Sequence, residues 1–147
     1  MKRFVSIVSG EYLTGPLSEL MDCSLLSETD GSPHLPKGYY YLVNEDFFTG
    51  SQGKWIIAIP DLIIRQLHPE RSRLNGCCGL DGCDGPNLVD SKGNAIGTEK
   101  SDCWMPHCII LEPTKVRIEE CEQAADGKTP EALKSGEIFS SVRLLKS

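Results

Sequence analysis

The chain has 147 residues, 39% hydrophobic and 24% charged, the proportions of one ordinary globular domain rather than a disordered or fibrous chain. Twenty-one acidic residues against fifteen basic ones give a net charge of −6. With no basic stripe, that balance argues against sequence-independent phosphate binding and suits a basic protein partner better than nucleic acid. No apolar run reaches the roughly 18 residues of a spanning helix.

Residues 1–8 are basic and then apolar, but Ser9-Gly10-Glu11 ends the stretch too early for a secretory signal, so the expected compartment is the cytoplasm. Residues 4–9 alternate like a first strand closed by Gly10. Pro16 ahead of Leu17, Leu20 and Met21 predicts a short helix. Residues 27–38 are rich in chain breakers and read as an exposed loop carrying His34, and His68 is expected in a second exposed loop beside Pro69. Tyr39–Val43 and Trp55–Ile59 have high β-propensity and read as strands. Pro60-Asp61 then opens an expected helix through Leu62, Ile63, Gln66 and Leu67.

Further along, Cys108–Leu111 and Val116–Ile118 flank Glu112–Lys115 as an expected hairpin. Thr129-Pro130-Glu131 has the chemistry of a helix start, with Gly136 as its stop, and Ile138–Leu145 reads as a last strand. Together these elements predict an α+β fold: a single compact domain over residues 1–147, mostly an antiparallel sheet of about five or six strands with two or three short helices. A long Gly/Cys-rich loop over 75–108 completes it.

Seven cysteines cannot all pair with one another, and a cytoplasmic setting favours metal binding, catalysis or burial over a disulfide framework. Four of them lie in the glycine-rich stretch after Leu74 and before His107. Two ligand clusters stand about 20 residues apart there. Cys78-x4-Cys83 supplies one pair, and Cys103-x3-His107 or Cys103-x4-Cys108 the other. Zinc suits such thiolate and imidazole ligands, so Cys78, Cys83, Cys103 and His107 form the expected metal set. Gly79, Gly82 and Gly85 would let backbone amides turn toward the sulfurs. Adjacent cysteines such as Cys77 and Cys78 seldom both ligate one ion. Alternatively, the cysteines read as small apolar side chains packing a glycine-rich loop.

A catalytic version makes Cys103 the nucleophile, His107 the base and Asp102 or Glu99 the orienting group. A second version makes Glu99 the general base beside a zinc-bound water. The deaminase strings H-x-E and P-C-x2-C are absent. So are the P-loop, the dinucleotide glycine pattern, H-E-x-x-H and G-x-S-x-G.

Asn75-Gly76-Cys77-Cys78-Gly79, Asp84-Gly85-Pro86-Asn87, Gly97-Thr98-Glu99 and Ser101-Asp102-Cys103-Trp104 with His107 compose one block of about 35 residues. This block resembles a recurrent N-G-C-C-G…D-G-P-N…G-T-E-x-S-D-C-W-x-x-H stretch of small bacterial proteins with no established activity. The resemblance implies a bacterial source. Such proteins often carry a further C-x-C-G between the halves, where this chain reads Asp90-Ser91-Lys92-Gly93, so two candidate ligands are missing here.

Two classes of function follow. The first is a non-enzymatic protein-binding protein, by analogy with the small acidic immunity proteins that neutralise a toxin by direct binding. Glu119, Glu120, Glu122 and Asp126 form its expected contact patch for a basic toxin domain. The second is a small zinc protein with hydrolytic capacity at the Cys/His site.

Overall fold

The computed structural model describes residues 1–44 and 47–121. Nine strands occupy them: β1 (Lys2–Ser6), β2 (Ser18–Glu19), β3 (Tyr39–Leu42), β4 (Trp55–Ile57), β5 (Gln66–Leu67), β6 (Leu88–Val89), β7 (Ala95–Lys100), β8 (Cys108–Leu111) and β9 (Val116–Glu120). Seven of them form one sheet in the order β2-β3-β4-β8-β7-β6-β5, and β1 pairs with β9 in a separate ribbon. Only the β2–β3 pairing is parallel; the other strand pairings are antiparallel.

The sheet sits where the apolar runs place it. Strand β8 is Cys108-Ile109-Ile110-Leu111, buried at every position. An apolar run without alternation marks a strand covered on both faces. Its Ile109 and Leu111 join Phe4, Tyr40, Ile57 and Leu88 in one core, whereas Cys108 and Ile110 join Ile56, Leu35 and Met105 in another. That split follows the two-residue period of a strand. The β1–β9 ribbon lies against the first core through Phe4 and Val116. Phe4 meets Tyr40 and Trp55 edge-on at centroid distances of 5.6 and 5.3 Å, the geometry that aromatic quadrupoles favour. Each such fully buried apolar side chain contributes about 1.5–3 kcal/mol.

The two helices expected before Pro69 are absent, and the described residues hold only three short 3-10 turns, at Cys23–Leu25, Ile59–Asp61 and Arg71–Arg73. Leu17 and Leu20 have helical spacing, yet Leu17 enters the first core and Leu20 the second. An extended segment sends neighbouring side chains to opposite faces, and here backbone pairing of Leu17 with Lys2 in both directions holds it extended. After the Ile59–Asp61 turn, the Ile63 amide bonds to the Leu13 carbonyl, so tertiary pairing supplants the helical ladder. Over the described residues the α+β expectation is therefore corrected to a mostly β fold with a mixed sheet.

The expected hairpin of residues 108–118 is also corrected. Its arms belong to different sheets, because the Glu112–Lys115 turn carries the chain from β8 in the large sheet to β9 beside β1. Residues 75–108 are not one loop either, since they include the β6–β7 hairpin and the first residue of β8. The helix at 129–136, the strand at 138–145, Glu122 and Asp126 lie outside the described residues.

His34, expected on an exposed loop, is 3% exposed. Its Nδ1 lies 2.7 Å from the Ser27 carbonyl oxygen and its ring packs on Phe47 and Phe48. Burial pushes its pKa down, opposed by that carbonyl. Among the described residues no helix is long and apolar enough to cross a membrane.

Candidate metal centre

Strand β7 ends at Glu99-Lys100, paired with Ile109 and Cys108 of β8, and hands the chain to Ser101-Asp102-Cys103-Trp104. The preceding lobe, Asn75 to Asn87, folds back onto that segment. One bond closes it on itself, from the Asp81 amide to the Asn75 carbonyl (2.9 Å), and two join its middle to that segment, from the Ser101 amide to the Leu80 carbonyl (2.8 Å) and from the Leu80 amide to the Ser101 hydroxyl (3.2 Å). Asn87 is fully buried and its side-chain amide pairs with the Glu99 backbone, accepting at 2.7 Å and donating at 3.0 Å, as another strand residue would.

Glycine is required at two points of this lobe by close approach. A Cβ on Gly76 would lie 1.7 Å from the Gly79 carbonyl oxygen, and one on Gly79 would lie 2.2 Å from the Ser101 carbonyl oxygen. Both contacts are to backbone, which cannot rotate aside. The two glycines bracket Cys77 and Cys78, so the tightness of the lobe decides where those cysteines sit.

Asp102 organises the site. Its carboxylate is 1% exposed and accepts four N–H bonds: from the backbones of Cys78 and Cys103 on Oδ1, and from the Cys77 backbone and the Trp104 indole on Oδ2. All four lie at 2.8–2.9 Å. Every cysteine of the group thus donates its own amide to one carboxylate. The Cys77 and Cys78 amides, more than any other cause, hold the Asp102 carboxyl far below the ordinary carboxylate range.

The outcome is a triad of exposed sulfurs. The Sγ atoms of Cys77, Cys78 and Cys103 lie within 4.8 Å of one another, and the first two are 3.9 Å apart. Thiolates bound to one ion at the usual Zn–S length of about 2.3 Å stand about 3.8–4.0 Å apart. The triad could therefore hold a metal ion after shifts of under about 1 Å. Contact with Cys78, then burial and the Asp102 carboxylate, push the Cys103 thiol up to about 12, and Cys78 raises Cys77 as well. A free thiol in that range is protonated and weakly nucleophilic at neutral pH.

Two of the four sequence-predicted ligands, Cys78 and Cys103, are brought together, and two stand elsewhere. Cys83 is exposed, its amide bonded to Asp81 Oδ1 and its thiol to the Asp81 carbonyl. It opens onto a cleft of about 420 Å³ walled by Phe48, Lys100, Trp104 and Met105. His107 turns its Nε2 to the Asp102 backbone carbonyl at 2.9 Å, while its own backbone pairs with Ser32 and His34. Cys77 takes the place of both, despite standing next to Cys78.

Glu99, the candidate base, is 2% exposed. Arg65 holds both its oxygens at 2.5 and 2.8 Å, and the Ser101 hydroxyl adds a bond to Oε2 at 2.7 Å. The acidic patch on β9 is likewise compensated where it is described. Glu119 pairs with Arg3 and Arg117, and Glu120 with Lys2.

Sequence reasoning missed Cys77 and the collecting role of Asp102. The available signal was an aspartate directly before Cys103, together with glycines on both sides of the Cys77-Cys78 pair. No family model matches the chain, and neither the curated proteins nor the solved structures include a significant match to it.

Proposed function

We propose that this protein is a non-enzymatic binding protein that holds one zinc ion at Cys77, Cys78 and Cys103, with water in the fourth position. The carrying observation is the single carboxylate of Asp102, which gathers the backbone amides of all three cysteines and leaves their sulfurs together in solvent. Outer-shell partners of this kind fix ligand orientation, and their loss weakens metal binding. The hydrolytic version of this reading needs a free base. The engagement of both Glu99 oxygens by Arg65 and Ser101 supports binding over turnover.

Elemental mass spectrometry on untagged protein purified without chelator, combined with thiol titration, tests the proposal. About one zinc per chain, with three more of the seven thiols protected than in the metal-free protein, is the expected result. No bound zinc after reconstitution, with Cys77, Cys78 and Cys103 reactive in the folded protein, would overturn it.

A second reading, a toxin-neutralising protein that binds a basic partner, draws support from the sheet edge. Strand β5 ends the large sheet, and Ile63, Ile64 and Leu67 beside or within it are exposed. A strand edge that no other described strand pairs with, carrying apolar side chains, is a surface that partners cover, and the net charge of −6 over the whole chain favours a basic partner over an acidic one. Titration against the product of the neighbouring gene should give a stoichiometric complex that weakens as salt rises and is lost in Ile64→Asp. A salt-independent interaction, or none, would remove this reading.

A further inference from the structure

We infer that the Cys77-Cys78-Cys103 triad is a receptor for trivalent arsenic, taken up as arsenous acid and held by three sulfur bonds. The inference rests on the triad reading above and names the ligand class that this donor set suits best.

Coordination number comes first. Among the described residues, the metal-competent group contains three ligand atoms, all sulfur. The nearest further candidates are committed elsewhere. Each oxygen of Asp102 already accepts two N–H bonds, and His107 Nε2 faces the Asp102 carbonyl. Zinc in a closed site takes four ligands in a tetrahedron and must borrow one here. Trivalent arsenic forms three bonds and carries a lone pair, so a three-sulfur face open to solvent completes its coordination.

Charge points the same way. Three thiolates around a divalent cation leave a net charge of −1. Three As–S bonds leave a neutral centre. The condensation balances without a redox step: three As–O bonds of As(OH)3 break and three As–S bonds form. Each thiol proton leaves with one hydroxide as water, giving three waters in all, and arsenic stays trivalent.

Preorganisation supplies the rest. The lobe and the Asp102-Cys103 segment are already bonded together, with Gly76 and Gly79 packed at contacts that no larger residue allows. The third sulfur therefore does not have to be recruited from a mobile chain, which lowers the ordering cost of capture. All three cysteines are exposed, so the neutral acid reaches them directly.

The test is a thiol count on the reduced wild-type protein, with sodium arsenite and phenylarsine oxide as the two probes. Arsenite should add one arsenic per chain in intact-mass measurements and consume three of the seven thiols. Phenylarsine oxide, with two exchangeable positions, should consume two. Cys83→Ser should leave both counts unchanged, whereas Cys77→Ser should drop the arsenite count to two. Arsenite consuming two thiols or none in the wild-type protein, while zinc still binds, would overturn this inference and leave the zinc reading standing. Failure of both zinc and arsenite would overturn the two together.

Discussion

Asp90 and Asp102 are two buried carboxylates saturated by hydrogen bonds, and they do different work. Asp90 closes the β6–β7 turn. It accepts from the hydroxyls of Ser6 and Ser9 and from the amides of Lys92 and Asn94. Burial raises its pKa, but those hydroxyl and amide donors more than offset that and bring it to about 2. Asp102 uses the same chemistry on different donors, for three of its four N–H bonds come from the cysteines of the triad. A saturated buried carboxylate is thus a general clamp, and its consequence depends on what the donors carry. Around Asp90 they carry a turn; around Asp102 they carry three exposed thiols.

The sharpest way to break the comparison is through the glycines of the two regions. Gly79→Ala forces a Cβ onto the Ser101 carbonyl oxygen and should cost about 3 kcal/mol or more, with loss of bound zinc. Gly93→Ala, in the Asp90 turn, meets nothing within 4 Å but sits at φ +88°. It should cost only about 1–2 kcal/mol and keep the metal. Urea unfolding and elemental analysis on the pair read both quantities, and equal effects would dissolve the distinction.

The carboxylates themselves come next. Asp102→Asn places an N–H among N–H donors and should weaken zinc binding roughly ten- to a hundredfold in a competition titration. Asp90→Asn should lower stability by about 1–3 kcal/mol and leave zinc affinity unchanged. A zinc defect in the Asp90 variant would show that the two clamps act as one unit.

A smaller effect is expected from acid. The folded pKa of Asp90 lies below the unfolded value of about 3.9, so its contribution is fully present above that value. It is lost as pH falls toward the folded pKa of about 2. Carboxylate titration by nuclear magnetic resonance should place the Asp90 midpoint near there, and a midpoint near 4 would mean that its donors are not engaged. The smallest effect belongs to Cys83→Ser, an exposed change outside the triad. Stability should move by less than about 0.5 kcal/mol and zinc stoichiometry not at all.

Strands were the most legible part of the fold. Tyr39–Leu42, Trp55–Ile57 and Cys108–Leu111 are dense in β-branched, aromatic or aliphatic side chains and fall within or upon the expected segments. The helices were misread because Leu17 and Leu20, three apart, satisfy a helical period and equally well a chain that feeds two cores. Nothing local distinguishes the two, since the deciding bonds join Leu17 to Lys2 and Ile63 to Leu13. The site was half legible. Cys78 and Cys103 were named from ligand spacing, but spacing cannot show that Cys83 points to its own cleft or that His107 turns to a carbonyl.

By itself the sequence determined the residue types that make a thiol site feasible, the glycines that a tight lobe demands, and the apolar runs that become the central strands. Those are properties of side chains and of local backbone freedom. The tertiary structure alone decided which sulfurs meet. The two segments that supply them are 25 residues apart from Cys78 to Cys103, and they are joined by the β6–β7 hairpin and the amide bonds to Asp102. The backbones of Cys77 and Cys78 are held at the meeting point by hydrogen bonds to a carboxylate of the far segment, a contact that the spacing of the cysteines does not encode.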